Sequence, residues 1–135
     1  MVDKKLGGAG LRGQSAGETA LCTVGKEGAG LTYRGYTIED LAANARFEEV
    51  AYMLLYGALP TRVELEEYEA RLVGLRDLPD ALKQVLESIP KETHPMDVMR
   101  TGCSMLGNLE PETEFDQQHE AADRLLATLP GIICY

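Results

Sequence analysis

Disulfide bonding, metal ligation and membrane insertion all lack their usual raw material in this chain. Its three cysteines, Cys22, Cys103 and Cys134, are odd in number, far apart and outside any CxxC or Cys/His spacing. Neither a disulfide framework nor a zinc site is expected from them. Beside apolar neighbours such as Leu21, Met105 and Ile133, each reads as a small buried hydrophobe, and none as a nucleophile. Histidine is equally scarce, with His94 and His119 the whole supply. No stretch is apolar for long enough to cross a bilayer, and the N-terminus has no targeting pattern, so a cytoplasmic location is expected. Positive charge is short as well: 13 Lys and Arg against 22 Asp and Glu give a net charge of -9. That balance repels nucleic acid and anionic lipid, which excludes both as default partners.

What is present fits one soluble domain of 135 residues, 44% hydrophobic and 26% charged. Residues 1–17 hold five glycines and no apolar periodicity, and read as a loosely laid-down arm. Gly8, Gly10 and Gly13 within it spell a literal GxGxxG. The dinucleotide fingerprint needs a buried strand before it and a helix after it, and neither context accompanies these glycines. From Glu18 to Val24 and from Leu31 to Tyr36 the chain is rich in Thr, Val, Leu and Tyr, which predicts a short hairpin.

Beyond Tyr36 every periodic segment has helical spacing. Thr37 with Asp40, and Thr61 with Glu64, form capping boxes, while Gly57 and Pro60 stop the helix between them. The helix after Thr61 carries a stripe of Leu65, Tyr68, Leu72 and Leu75. Leu82, Val85, Leu86 and Ile89 repeat the pattern between Pro79 and Pro90. Pro95 suits a first helical position, and the helix it opens has an apolar side of Met96, Met99, Cys103 and Leu106. Gly102 and Gly107 on that helix predict close approach of another backbone. An acidic loop, Glu110 to Asp116, precedes a last helix marked by Ala121, Leu125, Leu129, Ile132 and Ile133. The apolar ending Ile132 to Tyr135, without a polar tail, reads as a truncation.

Candidate chemistry is sparse. His94 sits at a helix start, where capping is the simpler role, and His119 among Gln117, Gln118 and Glu120 reads as a solvated face. Ser15, Ser88 and Ser104 lack a nucleophile-elbow context, so no hydrolase triad is expected. The acids fall at caps and in one loop, where like charges favour exposure over a catalytic pair. Arg62, Arg71 and Arg76 lie along one otherwise acidic stretch, where the planar fork of an arginine suits an anionic substrate, and Arg71 is the candidate taken forward. The alternative for Arg71 is a helix ion pair with Glu67, four residues before it.

RGYTIEDLAANARFEEVAYMLLYGALPTRVEL, residues 34–65, followed by HPMDVMRTGCSMLG, residues 94–107, resembles the N-terminal part of the citrate synthase family. TALCTVG at 19–25 and LPGIICY at 129–135 look like its 2-methylcitrate-forming branch. The resemblance implies a mainly α fold: residues 18–135 would be the start of the large helical domain, after a short N-terminal β-hairpin. It implies condensation of propionyl-CoA with oxaloacetate and water to 2-methylcitrate and CoA, with acetyl-CoA and citrate as the alternative. No metal or prosthetic group is implied, coenzyme A entering only as the acyl-CoA substrate. A homodimer paired through helices of the large domain is also implied. In the family an aspartate takes the proton from the acyl carbon and two histidines assist. Their motifs come downstream, and neither His94 nor His119 matches them, so no catalytic residue is carried over and the segment alone is expected to be inactive. A reading of another class is a free-standing helical module that binds a partner through its last helix and acidic loop.

Overall fold

The computed structural model describes residues 17–25 and 30–135. The arm 1–16, with Gly8, Gly10, Gly13 and Ser15, and the turn residues 26–29 lie outside the described residues. The chain divides into two compact units, one running through Asn44 and the other from Ala45.

In the first unit, β1 (Cys22–Val24), β2 (Leu31–Tyr33) and β3 (Tyr36–Thr37) form an antiparallel sheet in that order. Cys22 lies opposite Tyr33, and Thr32 opposite Thr37. The expected two-stranded hairpin therefore gains a third strand, because the run Leu31–Tyr36 folds back on itself. Arg34 (φ 47) and Gly35 (φ 91) both have positive φ, the requirement of the tight turn whose twist matches its strands. Arginine is an unusual residue for that geometry, so the sequence carried no ordinary turn signal there. The Thr37 hydroxyl then caps α1 (Ile38–Asn44), accepting from the Asp40 N–H at 3.2 Å and donating to its carboxylate at 2.8 Å.

The second unit contains α2 (Phe47–Tyr56), α3 (Arg62–Gly74), α4 (Asp80–Ser88), α5 (Pro95–Leu109) and α6 (Gln118–Cys134). Its helix ends follow local chemistry. Gly57, with φ 102, donates its N–H to the Met53 carbonyl and closes α2. Thr61 accepts from Glu64 N–H at 3.3 Å, and Glu64 accepts from Thr61 N–H at 2.7 Å. At α5, the His94 ring Nδ1 accepts from the Met96 N–H at 3.1 Å, and Pro95 occupies the first turn. A single 3-10 turn, Phe115–Gln117, leads into α6.

Two apolar cores result. Leu78, Leu82, Leu86, Leu106 and Ile132 join α4, α5 and α6, and Tyr68, Leu72 and Ala127 join α3 to α6. At about 1.5–3 kcal/mol for each large side chain removed from water, the first core outweighs the second roughly twofold. The buried strip of α5 differs from the expected one: Gly102 and Leu106 are buried with Val98 and Met105 beside them, while Met96 is 61% exposed. Ile132 decides this, because a Cβ on Gly102 would overlap its side chain, so the glycine must face α6. Leu106 is buried as expected and Met99 and Cys103 are half-buried, so the strip widens toward Val98, Gly102 and Met105 and loses only Met96. Close approach thus holds at Gly102 but not at Gly107, whose Cβ position meets nothing within 4 Å. The cysteines also depart from expectation: Cys22 and Cys134 are exposed and Cys103 is half-buried. Cys22 lies on an edge strand, and Cys134 at the end of α6.

Candidate functional site

A carboxylate with no exposure is the most unusual group in the second unit. Asp123 lies four residues before Ala127 on the face of α6 that meets α3, and both it and Thr128 are buried polar side chains. Removing a carboxylate from water costs several kcal/mol unless donors replace the lost hydration. Two hydrogen-bond donors and one ion pair do so here. Tyr56 Oη at the end of α2 donates to Oδ2 at 2.6 Å, and Tyr68 Oη on α3 donates to Oδ1 at 2.9 Å. Arg71 Nε, three residues past Tyr68 and so on the same helix face, completes the set at 3.1 Å from Oδ2. The Thr128 hydroxyl turns back on its own helix and donates to the Arg124 carbonyl at 2.7 Å.

The tyrosine rings pack against one another and supply the apolar wall of this site. Tyr52 meets Tyr68 edge-on at 5.3 Å, and Tyr56 meets Tyr68 edge-on at 5.9 Å. His119 stacks on Tyr56 at 5.1 Å and its Nε2 lies 3.2 Å from the Leu55 carbonyl, which only accepts, so that nitrogen carries the proton. His119 is exposed, as expected of a solvated face, and in addition it touches the end of α2 from α6. Burial, followed by the bond to Asp123, pushes the Tyr56 phenol up to about 12 and the Tyr68 phenol higher still. Both phenols remain protonated donors at neutral pH. The arrangement fixes three helices around one anion, and it offers no group poised to take or give a proton.

Arg124, one residue beyond Asp123, builds a second polar centre. Its Nε and Nη2 grip Glu110 at 2.8 and 2.7 Å, and its Nη1 donates to the carbonyls of Asp77, at 2.9 Å, and Leu75. This fork holds the end of α5 and the α3–α4 connection to α6. The hydrogen bond from Arg124 holds the Glu110 carboxyl below the usual carboxylate range, and the same bond raises the Arg124 guanidinium. An open groove beside it is lined by Cys103, Leu106, Ala121, Leu125, Glu112 and Glu120.

Of the residues singled out in the sequence, Arg71 is engaged by Asp123 rather than by Glu67. His94 and His119 are occupied at the starts of different helices, with no shared partner. Ser88 donates to the Val85 carbonyl of its own helix. Among the described residues no group of three or more His, Cys, Asp or Glu side chains could hold a metal, and no helix is long and apolar enough to cross a membrane. Asp123 itself escaped the sequence reading. It lies off the apolar stripe of Leu125, Leu129 and Ile132, on the face it shares with Ala127, where helical spacing gives an acid no distinguishing signal.

Residues 10–135 match the family model described as Citrate synthase, C-terminal domain. The chain is 69% identical over 132 residues to a 2-methylcitrate synthase of Shewanella oneidensis, covering 98% of this chain and 35% of that protein. Among solved structures it superposes on citrate synthase from Thermotoga maritima with a TM-score of 0.80 and 34% identity, over 94% of this chain and 33% of that one. Citrate synthase from Thermoplasma acidophilum, solved as a ternary complex with carboxymethyl coenzyme A and oxaloacetate, gives a TM-score of 0.82 at 26% identity, over 90% and 33%. The chain thus spans about a third of the length of the relatives it matches.

Proposed function

The chain belongs to the citrate synthase family, and from that membership we propose that it forms part of an enzyme condensing propionyl-CoA with oxaloacetate and water to 2-methylcitrate and CoA. The identity of 69% to a 2-methylcitrate synthase, sustained over 132 residues, carries this reading. The named citrate synthases among the solved structures are less similar, at 34% and 26%. Residues 18–135 would be the N-terminal part of the large helical domain, in a cytoplasmic homodimer that needs no cofactor beyond its acyl-CoA substrate.

The chemistry requires a base beside the acyl carbon and donors for the developing enolate, held in a water-poor cleft. The residues of this chain supply scaffold for that cleft rather than its reacting groups. His94 is engaged by a backbone amide, His119 by a carbonyl and a tyrosine ring, and Asp123 by two phenols and the Arg71 guanidinium. Arg71 is the one substrate contact we assign here. Asp123 holds its Nε, and its side chain is still 46% exposed, an arrangement that suits an oriented fork for a carboxylate or phosphate.

The test starts with the native gene product, identified by mass, and measures CoA release with propionyl-CoA and acetyl-CoA. Propionyl-CoA should be preferred in kcat/KM by roughly 10-fold or more, the discrimination expected of one methylene at about 1–3 kcal/mol. Preference for acetyl-CoA would reverse the substrate assignment, and a native product of 14.7 kDa would favour an interaction module. Arg71→Lys should raise KM with kcat retained; an unchanged KM removes Arg71 from the substrate contacts.

A further inference from the structure

The two cores of the second unit share only α6, and they are attached to it differently. The core of α4, α5 and α6 contains five buried apolar side chains, whereas the one between α3 and α6 contains three, with Tyr52 of α2 at its edge. α2 and α3 are tied to each other independently of α6. Arg46 Nη1 lies 2.6 Å from Glu69 Oε1, and the Tyr52 ring meets Tyr68 edge-on. Their polar links to α6 converge on one residue, with Tyr56 and Tyr68 hydrogen-bonded to Asp123 and Arg71 paired with it by charge, and on the adjacent contact of His119 with Leu55 and Tyr56.

The other end of α3 is anchored in another way. Arg124 holds the carbonyls of Leu75 and Asp77, so the chain just past α3 stays with α6 whatever α3 does. Gly74, the last residue of α3, has open space around its Cβ position. Local opening follows such boundaries, where few apolar contacts adjoin a fixed point.

We infer that α2 and α3 form one arm that can be released from α6 as a unit, latched by the Asp123 carboxylate and hinged at Gly74 and Leu75. The closed arm buries the carboxylate and Tyr68, while Tyr56 and Arg71 stay partly open to water. Removing the charge leaves Arg71 and two phenols facing an amide that cannot satisfy all of them. The arm then opens while α4, α5 and the rest of α6 stay packed.

Hydrogen exchange read by mass spectrometry on the native gene product at neutral pH tests this. Asp123→Asn should speed exchange of the amides in 47–74 by about 30-fold or more, as the two phenols and the half-exposed Arg71 lose their charged acceptor. Amides in 80–109 should change by less than about threefold, within the scatter of unaffected sites. Tyr56→Phe, which keeps the ring stack and loses one donor, should give about 10-fold in 47–74 alone. It decides the matter if Asp123→Asn does not fold. Equal acceleration of 47–74 and 80–109 would make the unit a single cooperative block and overturn the proposal, as would no acceleration in either.

Discussion

Replacing Arg124 with alanine removes the fork that joins three parts of the second unit. The substitution deletes two bonds to the Glu110 carboxylate and the donors to the Asp77 and Leu75 carbonyls, from a side chain only 17% exposed. Hydrogen bonds involving charged groups contribute about 1.5–3 kcal/mol each when buried, but Glu110, at 41% exposure, recovers hydration once freed. The Leu75 carbonyl is part-buried and recovers less. Together with the lost packing of the arginine stem, the expected loss is about 2–3 kcal/mol. That corresponds to a fall in Tm of roughly 6–12 °C for a domain of this size. Arg124→Lys should lose about half as much, since an ammonium cannot serve a carboxylate and two carbonyls with one rigid plane. Urea denaturation followed by far-ultraviolet circular dichroism measures both. A loss of 0.5 kcal/mol or less for Arg124→Ala, the range of an exposed pair, would refute the reasoning that this fork is a structural clamp.

The same pair gives a pH dependence. The Glu110 carboxyl lies below its unfolded value of about 4.3 in the folded chain, so its contribution is complete above that value and is lost as pH falls through the folded one. Glu110→Gln should therefore flatten the stability curve below about pH 5 and leave its alkaline side unchanged, as read by denaturation at a series of pH values. Gly102→Ala should destabilise by about 1–3 kcal/mol because its Cβ overlaps Ile132, whereas Gly107→Ala, with nothing within 4 Å, should be neutral or stabilise by up to about 1 kcal/mol. Matching melting temperatures for these two variants would contradict the placement of Gly102 against α6.

Much of the helical framework is legible in the sequence because its signals are local. Thr61 and Glu64 cap a helix through atoms three residues apart, and Gly57 ends one through its own φ. The resemblance placed the chain in its family for a related reason, since runs such as LLYGALPT keep helix stop and start signals in fixed order. What was not legible depends on distance along the chain. Tyr56 and Asp123 meet across 67 residues, and no periodicity within α6 distinguishes an acid that finds three partners from one that faces water. Arg71 was read against its helical neighbour Glu67 because spacing presents that pair, and the tertiary partner prevailed. The strip on α5 is wider than its sulfur-bearing side and excludes Met96 for the same reason. Apolar side chains such as Met96 and Met99 define a stripe only by composition, while the observed strip is chosen by where Ile132 lies.

A helix that leans on one core leaves half its circumference open to drift, but α6 leans on two. Asp123 and Ala127 face α3, while Leu125, Leu129 and Ile132 face α4 and α5. Rotating or resizing one side disturbs the other, and compensation on one core tends to spoil the fit to its neighbour. In a library randomised across α6, accepted changes should therefore collect at the few outward positions, Gln118, Glu120 and Pro130 among them. The remainder of the helix should vary only in concert, several positions at a time, and so more slowly than the helices it holds together.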